Sequence, residues 1–155
     1  MFARLGDRGR RDSPEVAAVS ARLRVLLEVH AAAEERVFYP QLLGLGTGAG
    51  SKDSAAAETR DALQDHNDIR DAITRTGDHD EGTTSWWEAI AEVRAANSDH
   101  MGEEERQSLA DFRHHASLEL RHDLAVRFAP FEAEHAQGGD AQDTDPDASV
   151  QQKTP

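Results

Sequence analysis

The stretch HAAAEERVFYP, residues 30–40, decides how this chain is read, because its opening returns in altered form as HMGEEER at residues 100–106. Both copies have the form His-x-x-x-Glu-Glu-Arg. A third histidine phrase, DHNDIR, residues 65–70, stands about midway between them. A spacing of four sets an imidazole and a carboxylate one helical turn apart, as neighbours on one face. That spacing carries little weight by itself, since His115 and Glu119 share it. Repetition of the longer phrase is what calls for an explanation.

The residues around each phrase suggest which way it points. Upstream of the first, an apolar stripe runs Val16, Val19, Leu23, Leu26 and continues through His30, Glu34 and Val37 in steps of three and four, one face of a helix. Around the second, Thr59, Ala62, His66, Ile69 and Ile73 keep the same period. Around the third the stripe is Trp86, Ile90, Val93, Asn97, His100 and Glu104. Three helices are therefore expected to carry an imidazole inward, and two of them to add a carboxylate. A buried carboxylate is costly unless it is paired or bound to a cation. Bound metal resolves the difficulty. Nitrogen and oxygen ligands without thiolate suit iron, manganese or zinc. Two carboxylates among facing helices suggest two ions bridged by them.

Bulk properties narrow the field. A chain of 155 residues makes one domain with room for a real core. A net charge of −13 argues against nucleic acid or an anionic membrane as the main partner. The chain has no cysteine, which excludes disulfides and thiolate-bound zinc or iron–sulfur sites. No apolar run is long enough for a membrane span. The opening MFARLGDRGRRDSPE has arginines but lacks the apolar stretch of a secretion signal, so the expected location is the cytoplasm.

The pattern predicts helix throughout. Ser13-Pro14-Glu15 reads as a helix start, and that helix should run to about Leu43, where the glycine-rich stretch from Gly44 to Gly50 ends it. A second helix is expected from Ser54 to Gly77. A third should begin at Thr84 or Ser85 and pass through HMGEEER. A last one is expected from Ser117 to His135, with a break between Ser108 and Ser117. The domain is thus placed at residues 13–135, after a short remnant at 1–12. Residues 136–155, poor in apolar side chains, read as a disordered acidic tail.

In that order and on successive helices, HAAAEERVFYP, DHNDIR and HMGEEER resemble the hemerythrin-like, or HHE cation-binding, domain, over about residues 15–107. The resemblance implies an all-α, up-and-down four-helix bundle, here with a truncated first helix and an extra C-terminal helix, holding a non-heme iron centre of two ions. It implies His30 and Glu34, His66, and His100 with Glu104 as metal ligands, the two glutamates bridging, with Glu105 a rival to Glu104. The family's first helix contributes an earlier histidine, and nothing upstream of His30 is one. MFARLGD looks like the end of that helix. Arg70 stands where hemerythrins proper have another histidine, and Gly102 weakens the helix between His100 and Glu104.

Such a site implies binding or sensing of dioxygen, or of another diatomic or peroxide, with a homodimer among the arrangements allowed. The sequence has no nucleophile triad, phosphate loop or acid–base pair, so binding is favoured over catalysis, with peroxide- or nitric-oxide-directed activity as the enzymatic option. The competing reading is a metal-free helical interaction protein whose missing helix leaves an apolar groove for a partner.

Overall fold

The computed structural model describes residues 14–139 and 143–153, all helix, turn and loop with no strand among them. The expected remnant at 1–12 and the Ser13 cap lie outside the described residues. The chain runs α1 (Pro14–Ala33), a π-helical turn (Glu34–Phe38), α2 (Tyr39–Leu45), α3 (Ala55–Thr76), α4 (Thr84–Arg106), α5 (Ser108–His115), α6 (Leu118–Glu134) and α7 (Pro146–Lys153). This is an all-α helical bundle. No described helix is long and apolar enough to cross a membrane.

Helix starts follow local chemistry. The Ser54 hydroxyl accepts the Ala57 amide, Thr83 that of Trp86 and Ser117 that of Leu120, so each caps amides that the helix itself leaves unpaired. The anticipated break before Ser117 is double, at Gln107 and at Ala116–Ser117, and frees α5 as a short helix of its own.

The first long helix holds the main surprise. Pro40 has no N–H, so Arg36 lacks the donor an α-helix would give it, and the proline ring would crowd that carbonyl. The chain widens instead: the Tyr39 amide reaches back five residues to Glu34 O. The wider turn buries two consecutive carboxylates, Glu34 and Glu35, 5% and 8% exposed. Single π turns of this kind concentrate at functional sites.

The apolar core of the bundle falls into three clusters. Phe38, Tyr39, Leu42, Leu63 and Phe112 pack at one end. Leu23, Trp86 and Ile90 pack at the other, and Ile69, Ile73 and Val93 lie between, with Leu27 touching both of these clusters. Each large apolar side chain buried there stabilises the fold by about 1.5–3 kcal/mol. The stripes expected on α3 and α4 are buried except at half-buried Asn97. The stripe on α1 needs correction. Leu26 is exposed, and the inward line passes through buried Leu23, half-buried Leu27 and buried Ala31 instead. A helix face is a little wider than one residue, and Leu27 rather than Leu26 fills the gap beside Ile73 and Ile90.

The tail expectation is corrected as well. Residues 146–153 form α7, which packs on α3 and buries Val150. Composition missed it because its attachment is polar: Asn67 Nδ2 donates to Thr144 O at 2.8 Å, Thr144 N to Asn67 Oδ1 at 3.0 Å, and Arg60 Nε to Asp147 Oδ1 at 2.5 Å.

The glycine-rich loop after α2 is tied down by buried acids. Ala49 N donates to Glu58 at 2.7 Å and Gly48 N to Asp111 at 2.9 Å. A side chain at position 46 would lie 2.3 Å from Asp111 Oδ2, and Gly48 has φ +98°, so both positions require glycine. Burial pushes the Glu58 carboxyl up to about 7, against the pull of the Ala49 amide and with the nearby Asp111 adding to the rise. The folded state therefore keeps a proton that the unfolded chain releases near 4.5, and stability falls as pH rises from there to about 7. Glu58→Gln, which mimics the protonated form, should gain stability relative to the parent across that window and match it at lower pH. Paired thermal melts from pH 4 to 8 check the sign.

Candidate metal centre

Three helical segments bring side chains to one point. Glu34 comes from the π turn, His66 from α3 and His100 from α4, and each offers a ligand atom within 4.8 Å of the others, all three residues buried. His66 Nε2 lies 3.2 Å from His100 Nε2 and 3.1 Å from Glu34 Oε2. His100 Nε2 is 3.9 Å from the same oxygen.

The other ring nitrogens are anchored. His66 Nδ1 meets Glu35 Oε1 at 2.9 Å, and His100 Nδ1 meets Asp65 Oδ2 at 3.3 Å. A carboxylate on Nδ1 holds the proton there and turns the Nε2 lone pair toward the centre, as outer partners of metal-bound histidines do. Two lone pairs then face each other across 3.2 Å, an arrangement that needs a cation or a proton between them. Glu34 Oε2 is buried and receives no hydrogen bond. Two imidazoles and an unsatisfied carboxylate oxygen fit a divalent metal with nitrogen and oxygen preference.

Without a metal, protons supply the missing charge. Burial lowers the pKa of His100, but Asp65 and Glu34 outweigh it and raise the ring to about 10. Burial and the charge of Glu34 lift Glu104 to about 7. Burial also works to raise Glu34, yet His100, His30 and His66 together hold it well below the usual carboxylate range. Burial and the surrounding carboxylates raise the Tyr39 phenol well above 10, so it stays a donor, 3.5 Å from Glu104 Oε1.

The five expected site residues are not equivalent. Glu34, His66 and His100 meet. Glu104 is buried beside Tyr39 but stands outside that trio, while its rival Glu105 is exposed. His30 departs from the inward position expected of it: its side chain is 55% exposed. The displaced stripe explains this, since His30 follows exposed Leu26 by one turn. It still reaches Glu34, with Nε2 3.1 Å from Oε1, while Nδ1 lies 3.1 Å from Glu132 of α6 and the ring packs edge-on against Phe128. The Glu34 hydrogen bond is the main cause that raises His30 to about 9.

Several participants were not anticipated. Glu35 was hidden in the doubled Glu-Glu of the motif. Arg70 donates to Glu35 at 2.7 Å, which accounts for an arginine in that place. Asp65, the first residue of DHNDIR, orients His100. Glu132 could not be found by spacing, because it arrives from a distant helix.

Cavities reach the cluster from more than one side. One, of about 480 Å³, touches His30, Glu34 and Glu104 beneath walls that include Phe38, Leu124 and Phe128. A smaller one, about 170 Å³, reaches His100 between Asp65, Asp68, Asp99 and Glu103. Glu35→Ala should destabilise the fold by about 3–5 kcal/mol, because it strands a buried guanidinium. Urea unfolding of the metal-free variant beside the parent measures the loss.

Comparison with known proteins identifies the family. The model of the hemerythrin HHE cation-binding domain matches residues 1–112. No curated protein and no solved structure gives a significant match. The match takes in the π turn, α3 and α4, and so every residue of the buried trio. By that match, which spans well over half its length, the chain belongs to the hemerythrin HHE cation-binding family.

Proposed function

We propose that the protein binds non-heme iron as a pair of ions and uses it to bind or sense dioxygen or a related diatomic or peroxide. The observation that carries this reading is the orientation of Glu34. Its Oε2 turns to His66 and His100, and its Oε1 to His30. One carboxylate thus serves two groups of imidazole, as a bridging ligand must. His66 and His100 would hold one ion with Glu34. His30 and Glu104 would hold the second from the side of the larger cavity, with Glu132 steadying the His30 ring.

Bound iron supplies exchangeable coordination positions and electrons for small oxidants. The protein's part is to prepare the surroundings. Glu35 and Asp65 keep the Nδ1 protons in place. Tyr39 remains protonated and points its hydroxyl at Glu104. Phe38, Leu124 and Phe128 keep water away from the cavity wall, which gives an uncharged small molecule a dry approach. The acidic cleft at His100 suits the arrival of a cation. A binding or sensing role accords best with this set of groups, and a peroxide-consumption assay separates it from turnover.

Loading the protein with ferrous iron under nitrogen, then desalting and measuring metal by mass spectrometry, tests the proposal. The expected content is about two irons per chain, falling to near zero in His66→Ala and His100→Ala and to about half in His30→Ala. Binding must displace protons from His30, His100 and Glu104, so affinity should rise with pH. A protein that retains no iron, with all three variants alike, would overturn the reading and favour a metal-free helical partner-binding protein.

A further inference from the structure

The segment after α6 does something that the family match does not account for. The match ends at residue 112, yet residues 143–153 reach back to the buried centre. Thr144 Oγ1 donates to Glu35 Oε2 at 2.7 Å. Lys153 Nζ donates to the Glu35 carbonyl oxygen at 2.8 Å. We propose that this C-terminal segment is a strap that positions the metal centre, with Thr144 and Lys153 fixing Glu35, and Glu35 fixing His66. The inference rests on the iron reading for its consequence, though not for its geometry.

The accounting of donors supports it. Glu35 presents Oε1 to both His66 Nδ1 and Arg70 Nη2. Its Oε2 takes the Thr144 hydroxyl, which stops the carboxylate from rotating and keeps Oε1 in line with the imidazole. Its carbonyl has a particular need. The Tyr39 amide is committed to Glu34 O, and the next residue, Pro40, has no N–H to give. Lys153 supplies a donor where the π turn has used up its own. The remaining contacts close a ring: Arg70 Nη1 donates to Asn67 Oδ1 at 3.1 Å, and Asn67 exchanges two hydrogen bonds with the backbone of Thr144. DHNDIR thus provides the histidine, the residue that receives the strap and the arginine that shares its target.

The strap is held by these polar contacts, by the Arg60–Asp147 pair and by one buried apolar side chain, Val150. A segment so attached is specific in register and weak in hydrophobic anchorage. It therefore acts on the orientation of Glu35 more than on the stability of the bundle.

The test uses the full-length chain and the variants Thr144→Val, Thr144→Ser and Lys153→Met. Long-range proton–nitrogen correlation spectra of the metal-free protein report which ring nitrogen of His66 carries its proton. The parent should show the Nδ1–H form alone. Thr144→Val should show a mixture of both forms, Lys153→Met a smaller admixture, and Thr144→Ser the parent pattern. In chelator competition, the ferrous-iron affinity of Thr144→Val should fall by about 10–100-fold and return in Thr144→Ser. If Thr144→Val and Lys153→Met both keep the parent tautomer, the strap proposal is overturned, whatever their melting temperatures. A parent that binds no iron defeats the metal reading alone, because the tautomer comparison still decides the strap.

Discussion

Two imidazole nitrogens held 3.2 Å apart in the interior, next to a carboxylate oxygen that nothing hydrogen-bonds, form the constraint around which this molecule is arranged. Such a group is unstable in an apolar core unless a positive charge sits in its middle. The surrounding structure follows from that requirement. Glu35 and Asp65 fix the outer ring nitrogens. Arg70 balances Glu35, and a raised pKa on His100 and Glu104 stores the protons that stand in for a cation. Each partner occupies a lone pair or a proton that would otherwise be stranded.

The π turn makes this arrangement reachable from a single helix. On a regular α-helix, consecutive residues such as Glu34 and Glu35 stand about 100° apart around the axis. Pro40 prevents the regular pattern, and the widened turn presents both acids inward with separate tasks. Glu34 faces the ring nitrogens at the centre, while Glu35 holds His66 from behind. The same distortion leaves a carbonyl short of a donor, and a lysine from the far end of the chain fills the place. A local backbone irregularity thus places the two buried carboxylates and also creates the demand that draws in the C-terminal segment.

The bundle divides its work between its two ends. Around Leu23, Trp86 and Ile90 the packing is apolar and the residues serve stability. Around Tyr39, His66 and His100 the interior is polar, and α6 lays Phe128 and Glu132 against His30 at the edge of a cavity. α6 and α7 lie beyond the part of the chain that matches the family. Both add groups to the site's periphery rather than to its centre.

Much of this was legible in the residues themselves. Helical periodicity located α3 and α4, and with them the burial of His66, His100 and Glu104, because a side chain's face on a regular helix depends only on its position in the repeat. The repeated His-x-x-x-Glu-Glu-Arg phrase pointed to a cation site for the same reason. Three matters were decided by tertiary structure alone. His30 lies at the cavity's edge because Leu27, not Leu26, fits against the neighbouring helices, and a stripe read from one helix cannot know its partners' shapes. Glu35 became the partner that orients His66 because Pro40 changed the pitch of the turn. The tail became a strap because polar hydrogen bonds depend on where their partners stand in space, and composition measures only how much apolar surface a segment can bury.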